Sequence, residues 1–189
     1  MDKSYDSYWK KLDNFATFYA STTTAYNPNV YRLSVKLKSK IDMEALSKAL
    51  NETLIMVPSF NVKLRKGFFW YYLEHNKERP IIKEDEHFSF TIINTKENNY
   101  FLFKVTYFEK RINIDFCHIL TDGTGALSFL EALVTNYLKI HYPKKIKKNI
   151  IIGPELISKN EMSIDSFLKY STIKKEYQSK RMFMIIELL

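Results

Sequence analysis

The segment from residue 112 to residue 141 constrains the fold most. Its hydrophobic pattern changes from a strand-like to a helix-like period near two glycines. Over residues 112–118, apolar side chains alternate with polar or small ones, which predicts a strand with one buried face. Over residues 125–141, apolar side chains recur every three or four positions, which predicts an amphipathic helix. Gly123 and Gly125 lie between the two patterns and permit a tight bend. The segment therefore predicts a strand, a bend and a helix that lies on the sheet.

Similar patterns elsewhere predict a mixed α/β domain. Residues 31–37 alternate as a half-buried strand does, and Asp42 is a suitable N-cap for a helix that must end before Pro58. A hairpin is predicted around Gly67. The other predicted elements are an amphipathic segment within residues 2–21, strands at 60–64, 68–73, 88–93 and 100–108, and a short helix at 164–170.

Composition narrows the class of protein. A chain of 189 residues with 46% hydrophobic side chains can bury one substantial core. Cys117 is the only cysteine, so no internal disulfide can form. No apolar stretch approaches the roughly 20 residues of a membrane helix, and the opening residues are charged. We expect a cytoplasmic protein with no membrane span.

The formal net charge of +8 raises the question of a nucleic-acid partner. The basic residues are mostly lysines spread along the chain, without the arginine-rich stripe of a nucleic-acid surface. The lysine run at 144–148 is interpreted as a solvated connector, so we expect no nucleic-acid partner. His75, His87 and His141 lack metal-ligand spacing, and no metal site is predicted.

His118 is the candidate for chemistry. Alternation places it on the same face as Ile114 and Phe116, so its imidazole emerges among apolar side chains. Desolvation there would lower its pKa and keep it neutral, as a general base requires. On residue types alone, a hydrogen-bonded core histidine is the alternative, and both stay open.

Asp122 and Gly123 follow in the bend and are expected to support the loop. The Asp122 carboxylate can accept backbone N–H bonds or pair with an arginine, and Gly123 lets the chain turn. Arg32 and Arg65 are the arginine candidates, although each is predicted to be a solvent-facing strand charge. Arg111 is interpreted as a turn residue.

Other side chains near these elements are assigned structural roles. Cys117 should face away from His118 and pack as a small buried residue, because successive strand residues point to opposite faces. The aromatic residues 70–72 are predicted to be sheet core rather than the lining of a substrate pocket. Thr121, Thr124 and Ser128 are expected to cap the helix that follows.

The spacing His118-x-x-x-Asp122-Gly123, after an apolar strand and before an amphipathic helix, resembles a known active-site motif. It is the motif of the superfamily that contains chloramphenicol acetyltransferases, peptide-synthetase condensation domains, plant BAHD acyltransferases and alcohol acetyltransferases. Further segments are similar to the N-terminal half of bacterial alcohol acetyltransferase-like proteins; they are residues 11–14, 30–34, 41–42, 58–60, 68–74 and 118–125.

The resemblance implies a chloramphenicol acetyltransferase-like two-layer sandwich, with a mixed, mostly antiparallel sheet and helices on one face. It implies that His118 takes a proton from a small alcohol or amine, which then attacks an acyl-CoA such as acetyl-CoA. Asp122 and Gly123 would support the loop. No covalent enzyme intermediate, bound cofactor or metal is implied, and the motif identifies no substrate-binding residue.

The resemblance also implies a single half of a two-half fold. Residues 1–143 are then the N-terminal acyltransferase subdomain, and residues 144–189 are a connector and the truncated start of a second half. We expect the open face to be covered by that missing half or by an oligomer, and this half alone to be inactive if it stays open. The alternative is a non-catalytic chain that keeps the fold for binding or is a remnant of it.

Overall fold

A computed structural model describes residues 9–24, 28–85 and 93–144. Within these ranges the helices are α1 (Asn14–Thr22), α2 (Met43–Met56) and α3 (Gly123–His141). The strands are β1 (Trp9–Lys11), β2 (Val30–Lys36), β3 (Val62–Lys66), β4 (Tyr71–His75), β5 (Ile82–Glu84), β6 (Phe103–Phe108) and β7 (Arg111–Cys117). No helix in this described part is long and apolar enough to cross a membrane.

The strands form two sheets. A four-stranded sheet has the order β2-β7-β6-β5, and a three-stranded sheet has the order β1-β4-β3. Strand β5 pairs with β6 in parallel, and the other strand pairs are antiparallel. The mixed, mostly antiparallel sheet that the resemblance implies is therefore confirmed.

The main core lies between the four-stranded sheet and the helices α2 and α3. Leu46 and Leu50 of α2 and Phe129 of α3 pack in one buried cluster with Ile114 and Phe116 of β7. Fully burying side chains of this size stabilises the fold by about 1.5–3 kcal/mol each. The apolar face of each predicted helix thus covers the same face of the sheet, which gives the expected two-layer arrangement.

A second, smaller cluster joins α1 to the end of β7. Leu12 and Ala16 pack with Leu73 of β4 and with Cys117 and Ile119. The cluster fixes α1 beside the residues that follow β7. It therefore brings an N-terminal helix next to the loop that carries His118.

The helix start predicted from Asp42 is confirmed. The Asp42 carboxylate accepts a hydrogen bond from the Ala45 N–H at 2.9 Å, and α2 ends at Met56, before Pro58. Proline cannot donate a backbone hydrogen bond, and it disfavours helical geometry in the residue before it. The N-terminal segment is less regular than predicted, because Trp9 lies in β1 and α1 begins only at Asn14.

The predicted hairpin forms with a shifted turn. Lys66 pairs with Tyr71, and the Gly67 N–H donates to the Trp70 carbonyl at 2.7 Å. Residues 68–70 therefore make the turn rather than a strand, and the prediction that Trp70 belongs to the sheet core is wrong. The aromatic side chains of these residues favour a strand. The hydrogen bond between Gly67 and Trp70 closes a turn, however, so residues 68–70 do not pair in the sheet.

Other differences lie between the hairpin and β6. The short strand β5 was not predicted, and Ile93 lies outside any strand. The remainder of the strand predicted at 88–93 lies outside the described residues, as does the helix predicted at 164–170. Between the strands predicted at 88–93 and 100–108 the chain turns at Asn99, which lies in the left-handed region at φ 50°.

Candidate active site

The loop that carries His118 is anchored by backbone hydrogen bonds on both sides. The His118 N–H donates to the Asn29 carbonyl at 2.9 Å, and the Leu120 N–H donates to the Cys117 carbonyl at 2.9 Å. Asn29 has φ 49°, a conformation that asparagine tolerates better than most residues. The end of β7 is therefore held against the start of β2, so the backbone position of His118 is well defined.

Asp122 is the N-cap of α3. One carboxylate oxygen accepts a hydrogen bond from the Gly125 N–H at 2.9 Å. The Asp122 carbonyl accepts from the Ala126 N–H at 3.0 Å, which begins the helical hydrogen-bond pattern. Of the two roles considered for this carboxylate, the structure shows the acceptance of a backbone N–H.

The steric need for glycine in the bend falls on Gly125 rather than on Gly123. A β-carbon on Gly125 would collide with Thr121 Oγ1, whereas one on Gly123 would meet nothing within 4 Å. Gly123 is the first residue of α3. The helix therefore starts at Gly123, and the close approach of the bend to the helix occurs at Gly125.

The His118 imidazole is half-buried between two tyrosine rings. The Tyr19 ring of α1 stacks on it with centroids 4.7 Å apart and an interplanar angle of 16°. The Tyr31 ring of β2 lies 4.4 Å away at 37°. Packing on two ring faces restricts rotation of the imidazole. Neither tyrosine was identified from the sequence, because the contacts join segments that are distant along the chain.

Tyr31 links this ring to the cap of α3. Its hydroxyl donates to the Asp122 carbonyl at 2.7 Å and lies 3.1 Å from the Thr121 carbonyl oxygen. Burial, and then the negative charge of Asp122, raise the pKa of Tyr31, so the hydroxyl stays protonated. One side chain thus contacts both the imidazole and the bend that follows it.

Electrostatics favour the neutral form of His118. Burial lowers the pKa of its imidazole, and the nearby Asp122 carboxylate opposes that shift only in part. The direction agrees with the expectation from the apolar strand end. An imidazole in this state has a free nitrogen lone pair near neutral pH and can accept a proton.

Cys117 is a buried thiol, as predicted. It packs in the smaller cluster with Ile119 and Leu102. Burial raises the pKa of its thiol to about 12. A thiol that stays protonated is a poor nucleophile, so Cys117 is chemically inert here.

The expectation that Arg32 faces solvent is wrong. Its guanidinium Nε donates to Asp115 Oδ1 at 2.7 Å and Nη2 donates to Asp115 Oδ2 at 2.9 Å, while Nη1 donates to Asp85 Oδ2 at 2.8 Å. The Arg32 side chain is 12% exposed and that of Asp115 is 0% exposed. The arginine therefore pairs with two buried carboxylates, one in β7 and one just after β5, and does not pair with Asp122.

Of the remaining candidates, Arg65 behaves as assigned. Arg111 lies in β7 rather than in a turn, and the prediction that Thr121, Thr124 and Ser128 cap α3 is wrong. Arg65 is an exposed strand charge that pairs with Glu74 at 2.7 Å. Arg111 is exposed at the first position of β7, next to the predicted turn. Ser128 donates from its hydroxyl to the Thr124 carbonyl at 3.1 Å, but the side chain that caps α3 is Asp122.

An open cavity of about 280 Å³ lies beside the loop. Apolar side chains form most of its wall, and Cys117 and Ile119, the sequence neighbours of His118, belong to that wall. Its size is close to the lower limit of small-molecule pockets. Among the residues that the structure describes, no group of three or more His, Cys, Asp or Glu side chains could hold a metal ion.

No protein-family profile matches the chain, and no curated protein matches it in sequence. Solved structures do match. The starter condensation domain of rhizomide synthetase RzmA superposes with a TM-score of 0.55 at 8% identity, over 83% of this chain and 44% of that one. The first condensation domain of the calcium-dependent antibiotic synthetase, in complex with substrate analogue 2a, gives 0.53 at 13%, over 77% and 41%. Polyketide synthase associated protein 5 from Mycobacterium tuberculosis gives 0.52 at 17%, over 69% and 32%.

The chain therefore spans between about a third and a half of the length of these solved structures. At such low identities the likeness concerns the fold. In this chain, the element order, the four-stranded sheet and the helices packed on one face of it agree with the expected architecture. The strand, bend and helix around His118 are part of that agreement. The chain has the α/β fold of condensation domains and, by its share of their length, covers roughly one half of it.

Proposed function

We propose that this chain carries the N-terminal half of an acyl-transfer active site in which His118 is the general base. The observation that supports the proposal best is the state of the imidazole, which is half-buried, has a lowered pKa and lies at the end of β7. The bend behind it is capped by Asp122. The fold that this chain shares with condensation domains supports the choice of acyl transfer as the proposed chemistry.

In the proposed reaction, an imidazole nitrogen of His118 accepts the proton of an acceptor O–H or N–H. The acceptor atom forms a bond to the thioester carbonyl carbon, and the carbon–sulfur bond then breaks. The imidazolium returns the proton to the leaving thiolate, so the histidine ends neutral and no covalent enzyme intermediate forms. General base catalysis of this kind contributes about 10²–10⁴-fold in rate.

Tyr19 and Tyr31 would act as positioning residues in this proposal. Their rings pack against the imidazole and limit its rotation. Tyr31 also fixes the bend through the Asp122 carbonyl. A base held in one orientation avoids part of the entropic cost of aligning it with the acceptor.

The proposed donor is an acyl-CoA such as acetyl-CoA, and the proposed acceptor is a small alcohol or amine. In this proposal residues 1–143 form the N-terminal subdomain, and residues 144–189 form the connector and the beginning of a second half. That half, or a second copy of the chain, would complete the cleft. The competing proposal is a non-catalytic chain that uses the same fold for binding.

A thiol-release assay with acetyl-CoA and a panel of alcohols and amines tests the proposal. We expect the His118→Ala protein to lose about 10²–10⁴-fold of the rate. His75→Ala is the matched control, because it removes a half-buried imidazole at the end of β4. Circular dichroism verifies that each variant is folded. Equal rates above that of buffer for His118→Ala and the unmodified chain would reject the proposal, whereas a rate no faster than buffer would show that this half does not act alone.

A further inference from the structure

The tip of the β3–β4 hairpin exposes three consecutive aromatic side chains. Phe68 is 91% exposed, Phe69 is 81% exposed and Trp70 is 56% exposed. The hydrogen bond from the Gly67 N–H to the Trp70 carbonyl closes the turn that presents them. Large apolar side chains at a turn do not contribute to the core, so their position calls for another explanation.

These rings continue into an aromatic strip along the small sheet. Phe68 and Phe69 have centroids 4.7 Å apart, and Phe69 stacks on Trp70 at 6.5 Å. Trp9 of β1, itself 64% exposed, meets Tyr72 of β4 edge-on at 6.5 Å. The position of a β-carbon on Gly67 would lie 3.8 Å from ring atoms of both Trp70 and Tyr72. We call Phe68, Phe69, Trp70, Tyr72 and Trp9 the aromatic strip.

Basic side chains surround the aromatic strip. Strand β1 carries Lys10 and Lys11, and strand β3 carries Lys63, Arg65 and Lys66. Against these five cations the three strands carry one carboxylate, Glu74, which pairs with Arg65 at 2.7 Å and Lys63 at 3.7 Å. In the strand register, Tyr72 lies between Lys11 and Arg65. By strand alternation, Lys11, Lys63 and Arg65 lie on the same face as Tyr72 and Trp9, whereas Lys10 and Lys66 lie on the opposite face. Three of the five cations therefore share one surface with the rings.

This composition matches the interface of an anionic bilayer. Tryptophan and tyrosine favour the headgroup region, and phenylalanine extends into the acyl boundary. Lysine and arginine can lay their apolar stems on that surface while their charges meet anionic headgroups. Consecutive rings at a turn project from the sheet, a shape suited to insertion rather than to the flat stacking of bases. A second copy would bring the same cations together, so charge disfavours it as the occupant.

We propose that the aromatic strip and its surrounding cations dock this protein on the surface of an anionic lipid bilayer. The rings of the hairpin tip enter the interface, and Lys11 and Arg65 contact the headgroups. The inference is independent of the proposed acyl transfer. No helix among the described residues could span a membrane. The proposed docking is therefore an attachment to the membrane surface.

Intrinsic fluorescence reports on this surface selectively, because the sequence has two tryptophans and both belong to the strip. The experiment mixes the chain with phosphatidylcholine vesicles, with and without phosphatidylserine. We expect co-sedimentation and a blue shift only with phosphatidylserine, quenching by lipids brominated on the acyl chain, and loss of binding at high salt.

Two variants and one control make the test specific. Phe68→Ser with Phe69→Ser should lower the vesicle partition coefficient at least tenfold, and Lys11→Gln with Arg65→Gln should lower it roughly 30-fold. Ile55→Ser is the matched control, because Ile55 is 81% exposed on α2 and lies outside the strip. Its partition should stay unchanged. Circular dichroism verifies that all variants are folded.

Four outcomes would overturn the proposal. The first is that the unmodified chain fails to bind phosphatidylserine vesicles, and the second is that the tip variant, Phe68→Ser with Phe69→Ser, has the same partition coefficient as the unmodified chain. The third is that Ile55→Ser loses as much binding as the tip variant. The fourth is that the chain binds a single-stranded oligonucleotide and not the vesicles. Light scattering that shows a dimer lost in the tip variant, without vesicle binding, would instead assign the strip to a second copy. None of these readouts depends on thiol release, so the two proposals can fail separately.

Discussion

Arg32 of β2 forms a two-bond ion pair with Asp115 of β7, with nitrogen–oxygen distances of 2.7 and 2.9 Å. The Asp115 side chain is buried, and Asp85 is held by the same guanidinium. Replacing Arg32 with methionine leaves both carboxylates without their cation. We expect Arg32→Met to lower the free energy of unfolding by about 3–5 kcal/mol, measured by urea denaturation.

Arg65→Met is the control for that measurement. Arg65 also pairs with a carboxylate at 2.7 Å, but its side chain is 47% exposed. An exposed pair is worth about 0–1 kcal/mol, so this variant should be nearly as stable as the unmodified chain. A similar loss in the free energy of unfolding in both variants would contradict the conclusion that Arg32 stabilises the fold through its buried ion pairs.

Titration of His118 by NMR should give a pKa below the ordinary histidine value, because burial disfavours the imidazolium. Asp122→Asn keeps a helix-capping side chain but removes the charge that favours the imidazolium, so the pKa should fall further. Asp42→Asn makes the same change at the cap of α2 and should leave the His118 titration where it was. A rise in the pKa of His118 in Asp122→Asn would contradict the conclusion that the Asp122 charge favours the imidazolium.

The rate of thiol release, if His118 is the base, should fall as the pH falls through the His118 pKa. The protonated imidazole cannot accept a proton, and burial shifts that protonation to lower pH. The rate constant should therefore keep its plateau to a lower pH than an unburied histidine would allow, with its midpoint below the ordinary histidine pKa. A midpoint above the ordinary histidine value, measured for kcat/KM, would be incompatible with a desolvated base.

The two glycines of the bend should respond differently to alanine. Gly125→Ala places a methyl group against Thr121 Oγ1 and should lower stability by about 1–3 kcal/mol. Gly123→Ala has open space around it and should be neutral or slightly stabilising. Adding Thr121→Ala to Gly125→Ala should restore much of the loss in thermal denaturation. A double variant no more stable than Gly125→Ala alone would rule out this contact as the cause.

Tyr31→Phe removes the hydroxyl that donates to the Asp122 carbonyl but keeps the ring against His118. Loss of this hydrogen bond should cost about 0.5–1.5 kcal/mol of stability. Amide hydrogen exchange should quicken in the first turn of α3. Tyr107→Phe removes a half-buried tyrosine hydroxyl from β6 and should leave exchange in α3 unchanged. Unchanged exchange in both variants would show that Tyr31 does not hold the bend.

Features set by local chemistry could be predicted from the sequence. Asp42 and Asp122 cap helices because a carboxylate just before a helical pattern satisfies free N–H groups, whatever the rest of the chain does. The hairpin β6–β7 and the helix α3 follow from periodicity in the same way. The lowered pKa of His118 followed from its place at the end of an apolar strand.

Features set by distant partners could not be predicted. Alternation identified Arg32 as a strand residue but could not show that Asp115 and Asp85 would bury it. The stacking of Tyr19 and Tyr31 on His118 joins three separate segments. At the hairpin, the aromatic run at 68–70 favours a strand by composition, and the turn forms there instead. The catalytic role of His118 remains a proposal.

The pairing of β2 with β7 has a consequence for the order of folding. Arg32 and Asp115 are 83 residues apart in sequence, whereas β6 and β7 are joined by a two-residue turn. Closing the long loop costs more chain entropy and slows the search, so the local hairpin can form first and β2 docks later. Tyr31 arrives with β2. During refolding, the imidazole should therefore stay solvated after its own strand has formed, and should reach its final environment only when the last strand adds to the sheet.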